Sequence, residues 1–374
     1  MTDRRAVVVG AGIGGLACAI ALQRAGWRPV VLERARELRE VGFALLLAGN
    51  AVKALRMLGV AERVIAQSEL GREGELRTTD GRVLKRVVLD AIRRATGEDA
   101  VCALRQVLHG TLVDALEGNE LRTDAQAVRF TQTADGVTVE LSSGEHVHGS
   151  LLVGADGLHS AVRAALHGDA LRPSALVAYR GVCRPATWNV TGAQYFGRGV
   201  EAGVARAGGD SVYWYVSARA ELDPKQSVLD LVRGFDAALV QLIERTDPAD
   251  IRRDELFDRE PLRSWGVGRV TLLGDAAHPM LPHAGQGAAQ ALEDAVVLGR
   301  CLAGRADVPA ALRRYEELRI PRTTELVRIS RRNARAGSIR NKWLCALRDW
   351  LLMHGPATMM EKQLVSLARV ELEV

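Results

Sequence analysis

The sequence has few cysteines, few aromatic residues and no long uninterrupted apolar run. No two cysteines form a C-x-x-C pair, which excludes a zinc ribbon or a dithiol redox motif. The five are scattered along the chain: Cys18, Cys102, Cys183, Cys301 and Cys345. We therefore expect no metal site and a reducing, cytoplasmic environment. Because no segment reaches the ~18 apolar residues that span a bilayer, we expect no transmembrane segment.

Lysine is also scarce, and nearly all of the 50 basic residues are arginine. The net charge of +5 is spread along the whole chain. A nucleic-acid-binding protein gathers such charge on one helix or tail, so we expect no nucleic-acid partner and arginines that hold small anions. With 374 residues, 48% hydrophobic and 25% charged, the chain has the composition of a soluble protein of two or three domains.

The first forty residues combine a strand, a glycine-rich turn, a helix and a second strand. Residues 5–10 are an apolar run of buried-strand length, residues 13–25 read as a helix stopped by Gly26, and residues 29–32 read as the next strand. Between strand and helix, the glycines follow the G-x-G-x-x-G spacing at Gly10, Gly12 and Gly15, with Gly14 in addition. An acid, Glu33, ends the second strand.

This arrangement is typical of a dinucleotide-binding site. Gly10 permits the tight turn, Gly12 lets the backbone approach a pyrophosphate, and Gly15 allows close helix–strand packing. The phosphates then lie at the positive end of the helix. Glu33 stands where a carboxylate accepts hydrogen bonds from an adenosine ribose. A plain glycine-rich turn is the alternative, and Arg34 and Arg36 leave open a 2′-phosphate and NADP.

Two later segments repeat the pattern of an apolar strand that ends in a glycine-aspartate turn. The first is LLVGADGLHSAVR at residues 151–163, which contains Asp156. The second is VTLLGDAAHP at residues 270–279, which contains Asp275 and is followed by a Gly-Gln-Gly turn and a long helix. Taken alone, Asp156 fits an Asx turn and Asp275 a helix cap.

Together the three motifs, in this order, resemble the class A FAD-dependent monooxygenases, the family with the para-hydroxybenzoate hydroxylase fold. The resemblance covers about residues 1–335 and is strongest for the salicylate hydroxylase and zeaxanthin epoxidase type. It implies an α/β fold: a Rossmann-like FAD-binding domain, an inserted antiparallel-sheet substrate domain and C-terminal helices. We expect a discontinuous FAD domain (1–70, 98–170 and 262–338), a substrate domain (71–97 and 171–261) and a C-terminal helical segment (339–374).

The resemblance also implies which residues hold FAD. Asp156 is associated with both FAD and the nicotinamide cofactor, Asp275 with the ribityl or ribose hydroxyls, and Arg105 with the middle of the flavin chain. The turn before the last long helix borders the isoalloxazine, and the helix dipole stabilises negative charge on the reduced ring. The expected FAD-binding set is Gly10, Gly12, Gly14, Gly15, Glu33, Arg34, Arg105, Asp156, Arg163, Asp275, Pro282, Gly285, Gln286, Gly287 and Ala288.

The sequence departs from the family pattern at two places near the flavin. Residues 43–47 read Phe-Ala-Leu-Leu-Leu where relatives have smaller residues, and Ala289 replaces a usual asparagine. No residue matches the family's phenol-activating groups, so the catalytic base stays open. We expect His278 to pack or hydrogen-bond within its loop.

Aromatic residues concentrate where the substrate sheet is expected. Seven of the 16 fall between residues 179 and 215, and alternation in Tyr213-Trp214-Tyr215 places Trp214 on one face and the tyrosines on the other. Strand propensity alone accounts for part of this enrichment. We expect an apolar, aromatic-tolerant cavity whose candidate catalytic residues are Arg180, Tyr213, Tyr215 and His283.

The resemblance implies an NAD(P)H-dependent enzyme that inserts one oxygen of O2 into an aromatic or other apolar substrate through a flavin C4a-hydroperoxide. The nicotinamide cofactor, NADH or NADPH, is expected to visit transiently, because a second G-x-G-x-x-G is lacking. Epoxidation by the same intermediate and a non-catalytic flavin protein are the alternatives. We expect a small substrate and a monomer or homodimer. An apolar C-terminal stripe favours internal packing or a subunit contact over a membrane surface: Trp343, Leu344, Leu347, Trp350 and Leu351.

Overall fold

The structure, a computed structural model, describes residues 4–38, 43–116, 118, 120–186, 188–219, 227–370 and 372. In this part of the chain the strands are β1 (Arg5–Val9), β2 (Arg28–Leu32), β3 (Ala44–Leu47), β4 (Glu69–Gly71), β5 (Glu73–Thr78), β6 (Val83–Val88), β7 (Ala100–Leu104), β8 (Glu120–Arg122), β9 (Ala127–Gln132), β10 (Val137–Leu141), β11 (His146–Gly149), β12 (Leu151–Gly154), β13 (Arg172–Cys183), β14 (Gly192–Phe196), β15 (Val200–Arg206), β16 (Val212–Arg219), β17 (Arg252–Asp258) and β18 (Val270–Leu272). The helices are α1 (Ile13–Arg24), α2 (Gly49–Met57), α3 (Ala61–Ile65), α4 (Asp90–Thr96), α5 (Arg105–Asp114), α6 (Ala161–His167), α7 (Val228–Leu231), α8 (Ala237–Glu244), α9 (Gly287–Leu302), α10 (Val308–Gly337), α11 (Lys342–His354) and α12 (Ala357–Ala368).

A parallel sheet in the order β18-β12-β1-β2-β8 forms the centre of the larger core. Its central strands are buried on both faces, which explains their continuous valine- and leucine-rich sequences. Helix α1, which packs along α9, and the strands β10 and β11 contribute side chains to the same core. From β1 the chain turns to β2 on one side and returns to β12 on the other. Ligands of open parallel sheets bind at such a reversal, outside the carboxyl ends of the strands.

The second large sheet has seven strands in the order β17-β13-β16-β15-β14-β5-β6, and all its neighbours are antiparallel except β14 and β5. One face packs on α7 and α8 and buries Trp214, as the alternation predicts. Tyr213 and Tyr215 lie on the opposite face, with ring centroids 6.4 Å apart. A turn at Asp80-Gly81 joins β5 and β6 into a hairpin.

Two smaller antiparallel sheets, β3-β7-β4 and β11-β10-β9, complete the architecture. The predicted fold class is confirmed: a Rossmann-like parallel sheet, an antiparallel sheet and C-terminal helices. The parallel sheet draws strands from residues 5–32, 120–154 and 270–272, whereas the seven-stranded sheet uses residues 73–88 and 172–258. The exact domain boundaries remain a prediction.

The C-terminal helices differ from expectation in what they bury. In α11 the side chains of Trp343 and Trp350 are 73% and 55% exposed, whereas Cys345 reaches the interior. Of the two expected explanations for this stripe, packing inside the chain does not hold, and a subunit contact stays a prediction. No helix among the described residues is long and apolar enough to cross a membrane.

Candidate active site

The three motif loops meet at the carboxyl end of the parallel sheet, where β1, β12 and β18 are neighbours. A Cβ added to Gly10, whose φ is +104°, would lie 2.5 Å from the carbonyl oxygen of Ala155 in the loop after β12. A Cβ on Gly14 would lie 2.8 Å from Cδ2 of Leu273, which follows β18. The structure therefore brings the beginning, the middle and the end of the chain to one place.

The glycines at the start of α1 play different structural roles. A Cβ on Gly15 would overlap the carbonyl oxygen of Gly10, so the helix can approach the loop only without a side chain there. Around Gly12, by contrast, no described atom lies within 4 Å of an added Cβ. The first turn of α1 has no side-chain cap and no acidic residue. Its amides are thus left for an external anion, and Gly12 borders the space where one would lie.

Glu33 stands directly beside this helix start. Its Oε2 accepts a hydrogen bond from the amide of Ala11 at 2.8 Å, and its Oε1 accepts one from the amide of Ala35 at 2.9 Å. Each carboxylate oxygen has a further lone pair for a ribose hydroxyl. The neighbouring Arg34 is exposed at the rim.

Asp156 serves the fold as the cap of α6. Its Oδ1 accepts from the hydroxyl of Ser160 at 2.5 Å and its Oδ2 from the amide of Ala161 at 2.7 Å. The Asx-turn alternative raised for Asp156 is not what the structure shows, because the carboxylate accepts from residues four and five positions further along instead of two. Both oxygens are engaged locally, although the loop itself contacts Gly10.

The structure corrects the assignment of Arg163 to the FAD contacts. Its side chain is completely buried, and its guanidinium forms an ion pair with Asp169 at 2.7 Å. The same group donates to the carbonyl oxygens of Ala276 and Ala277 at 3.0 and 2.8 Å. Arg163 thus holds the loop that carries Asp275 and does not face the cleft.

Asp275 lies on the wall of a deep cleft. Burial raises the pKa of its carboxyl, outweighing the lowering effects of His278 and Arg105, yet its side chain is exposed to solvent. A group that is both open to water and surrounded by protein atoms lines a concave surface. An added Cβ on Gly287, the first residue of α9, would lie 4.0 Å from Oδ1 of Asp275. The carboxylate, Arg105 and the start of a 16-residue helix therefore share this wall.

The turn before α9 has a conformation that leaves backbone groups exposed. A 3₁₀ turn begins at Pro282 and ends at Gly285, which adopts the left-handed conformation with φ of +61°. Gln286 is buried and accepts a hydrogen bond from Nδ2 of Asn50 at 2.9 Å. The next residue, Gly287, begins the helix, and Ala288 is half-buried. Ala289, which replaces the usual asparagine of the family, does not change the polarity of the cleft, because its side chain packs in the core.

A network of buried ion pairs holds α9 against α10. The sequence patterns did not predict it. Arg319 of α10 forms ion pairs with Glu293 and Asp294, each at 2.6 Å, and all three side chains are buried. His278 contacts Asp294 at 2.6 Å, so its hydrogen-bond partner lies on α9 and not, as the sequence suggested, within its own loop. Burial alone would raise the pKa of Asp294, but His278 and Arg319 outweigh it and hold the pKa at about 2.

Across the cleft, the open face of the seven-stranded sheet presents the candidate catalytic tyrosines. Burial raises the pKa of Tyr213 to about 12, and that of Tyr215 well above its usual range, so both stay protonated. The hydroxyl of Tyr215 donates to Oε1 of Glu201 at 2.9 Å, and Nε2 of Gln194 donates to the same oxygen at 2.8 Å. Sequence reasoning missed Glu201 and Gln194, since only the strand register brings them to Tyr215.

The other two candidates border the same face. Arg180 pairs with Asp254 at 3.2 Å, and its guanidinium lies 5.6 Å from the ring centroid of Phe43. His283 places Nε2 3.3 Å from the hydroxyl of Ser217. Burial is the main reason that the pKa of His283 is lowered, which leaves its imidazole neutral at pH 7. The structure therefore gathers Arg180, both tyrosines and His283 around one chamber.

The bulky segment 43–47 consists of Phe43 and strand β3, which packs beside the residues that border this chamber. Phe43 is half-buried under Arg180, Leu46 is half-exposed and Leu47 packs in the core. Alternation along the strand explains why only part of this leucine run is left open.

Comparisons with known proteins agree with this geometry. Residues 3–330 match a protein family described as FAD binding domain. The chain is 36% identical over 360 residues to an aurachin C monooxygenase/isomerase of Stigmatella aurantiaca, with 94% of each chain covered. It is 35% identical to 3-hydroxybenzoate 6-hydroxylase 1 of Aquipseudomonas alcaligenes, with 87% of each chain covered.

Among solved structures, the fold is similar to that of HpxO of Klebsiella pneumoniae complexed with FAD and uric acid. The TM-score is 0.91 at 27% identity, over 98% of this chain and 97% of the other. The chain belongs to the FAD-binding-domain family and is a class A FAD-dependent monooxygenase, an aromatic hydroxylase that uses FAD, NAD(P)H and O2.

Proposed function

We propose that FAD lies extended across the carboxyl edge of the parallel sheet, with its ADP half at the start of α1 and its ring at the start of α9. The open space at Gly12 and the uncapped amides of α1 support the first placement. We assign to the FAD site all of the predicted residues except Arg163: Gly10, Gly12, Gly14, Gly15, Glu33, Arg34, Arg105, Asp156, Asp275, Pro282, Gly285, Gln286, Gly287 and Ala288. Arg163 is a positioning residue.

The observation that carries this placement is the surroundings of Asp275. Its carboxylate is open to solvent yet desolvated, close to Arg105 and to the first residue of α9. A hydroxyl-rich chain is the ligand that suits an acceptor on a cleft wall beside a cation. The helix N-terminus next to it suits a ring that becomes negatively charged on reduction.

When bound, FAD supplies hydride acceptance and oxygen activation, and the chain supplies orientation and exclusion of water. Tyr213 and Tyr215 orient the substrate as neutral hydroxyl groups, because burial keeps both protonated. His283, neutral at pH 7, is the group on this face able to take up a proton during the reaction. Phe43 and the leucines of β3 shield the chamber from solvent.

We infer further features of the protein that rest on this placement of FAD and of the substrate chamber. The domain division follows the predicted boundaries, with the chamber between the parallel sheet and the seven-stranded sheet. The substrate is a small aromatic molecule, in line with the hydroxybenzoate and urate named for the relatives. The chain works in the cytoplasm as a monomer or homodimer, a location that its five free, buried cysteines support.

The FAD placement is tested by replacing Asp275 with alanine. We expect FAD affinity to fall at least ~10-fold, because an aligned acceptor for ligand hydroxyls is lost. Titration of the deflavinated protein with FAD, followed by flavin fluorescence, measures the change. The matched control is Asp135→Ala, which removes an exposed carboxylate from the hairpin between β9 and β10. Equal FAD affinity in D275A and D135A would refute the placement.

A further inference from the structure

The chamber wall contains a carboxylate, that of Glu201, which forms no ion pair with any residue that the structure describes. Glu201, on β15, is 4% exposed and faces the same side of the sheet as Tyr215 and Ser217. It fits because the last residue of α10 is Gly337, where a Cβ would overlap Oε2 of Glu201. The chain thus reserves space for this acid at the edge of the chamber.

In the hydrogen bonds around Glu201, the carboxylate accepts and its neutral neighbours donate. Tyr215 gives its single hydroxyl hydrogen to Oε1 of Glu201, and Gln194 gives an amide hydrogen to the same oxygen. The hydroxyl hydrogen of Tyr215 is therefore used within the group, and acceptor lone pairs on Tyr215 and Glu201 are left for a ligand.

Among the described residues, no basic group forms an ion pair with the carboxylate of Glu201. Arg180 is paired with Asp254, and its guanidinium lies over the ring of Phe43. His283 interacts electrostatically with Glu201, but burial lowers its pKa and keeps it neutral at pH 7. An anionic ligand group at this point would meet an uncompensated negative charge, which is costly at low dielectric.

We propose that Glu201, Tyr215 and Gln194 make the chamber select neutral aromatic substrates that donate an N–H or O–H hydrogen bond, and reject substrates that place a carboxylate there. The inference rests on the proposed function, since it assumes that this chamber receives the substrate. It separates the chain from the relatives whose names specify benzoates. Glu201 acts as a specificity-determining residue and Gln194 as a positioning residue that fixes the direction of the hydrogen bonds.

The test uses the FAD-loaded protein and pairs of probes of nearly equal shape, with binding followed by the flavin absorption spectrum without NAD(P)H. The first pair is 3-hydroxybenzamide and 3-hydroxybenzoate, which differ in charge. The second is indole and 1-methylindole, which differ in the donor. We expect each neutral donor to bind at least ~10-fold more tightly than its partner, the range seen when a site's buried polar group is left unpaired.

Two variants assign the effect to the proposed residues. Glu201→Gln should raise affinity for 3-hydroxybenzoate about 10-fold, because the negative charge is removed while the shape is kept. Tyr215→Phe should reduce the preference for indole over 1-methylindole, because one of the two acceptors is lost while Glu201 remains. The control is Glu255→Gln, an exposed acid on β17 of the same sheet, which should change neither ratio.

Equal binding of the benzoate and the benzamide by the unaltered protein, or an unchanged ratio in E201Q, overturns the inference. So does a failure of both neutral donors to perturb the flavin spectrum. Each of these outcomes leaves the proposed function standing if the protein binds FAD and an aromatic substrate stimulates NAD(P)H oxidation. Failure to bind FAD, in contrast, removes the proposed function itself.

Discussion

Two buried acidic sites in this protein are compensated in opposite ways. Beneath α9, Glu293 and Asp294 each contact the guanidinium of Arg319 at 2.6 Å, and Arg322 reaches Glu293 at 2.7 Å. On the open face of the seven-stranded sheet, the hydrogen bonds described for Glu201 come from the neutral groups of Tyr215 and Gln194.

The difference separates a structural site from a binding site. A buried charge is tolerated when it is paired and hydrogen-bonded, so the acids below α9 are satisfied within the chain and hold the helix start in place. The acid on the sheet keeps acceptor capacity for a molecule that is not part of the chain. Burial alone would not have distinguished the two, whereas the identity of the partners does.

The largest effect expected from this comparison is on stability, in the variant Arg319→Met. The substitution leaves Glu293 and Asp294 buried without their shared cation, which typically costs about 3–5 kcal/mol. Urea unfolding of the purified protein measures the loss. Arg314→Met is the control, because its exposed pair with Glu317 on the same helix is worth at most about 1 kcal/mol. Similar midpoints for R319M and R314M would contradict the structural role of the network.

The glycine-rich loop before α1 shows the same difference: Gly15 is required by packing within the chain, whereas Gly12 borders the space proposed for a ligand. Gly15→Ala is expected to destabilise the fold by about 1–3 kcal/mol, because the added Cβ overlaps the carbonyl oxygen of Gly10. Gly12→Ala meets no described atom within 4 Å, so it should keep the stability of the FAD-free protein and weaken FAD binding instead. Unfolding of the FAD-free variants and FAD titration give the two readouts. A G12A protein as unstable as G15A would show that the space beside Gly12 is not reserved for a ligand.

Patterns of short range predicted the fold and the three motif loops that meet at the candidate site. The G-x-G-x-x-G spacing and the two glycine-aspartate turns are contiguous, and parallel strands place their carboxyl ends together, so local pattern fixed the location of Gly12 and Asp275. Arg319 lies 26 residues beyond Glu293 on another helix, and nothing in its local sequence indicates that contact. Glu201 meets Tyr215 only through the register of β15 and β16. Pairings of this kind depend on tertiary packing and were missed.

A smaller effect is expected for the stability of Glu201→Gln. The amide oxygen keeps an acceptor for Tyr215, and no cation is stranded, so unfolding free energy should change by at most about 1 kcal/mol. Urea unfolding beside R319M gives a direct comparison of the two acidic sites. A loss in E201Q as large as that in R319M would mean that Glu201 is a structural charge with a partner inside the chain, and the distinction drawn between the sites would fail.

The smallest effect concerns pH and the neutral state of His283. Because burial lowers the pKa of this histidine, it takes up a proton at lower pH than an ordinary histidine does, and its contribution to stability is lost as pH falls below the ordinary histidine pKa. Protonation would place a cation beside Glu201, with Arg180 opposing it. Binding of 3-hydroxybenzoate should then improve about threefold between pH 8 and pH 5.5. His283→Gln should show no such improvement, and a pH response that persists in H283Q would assign it to another group.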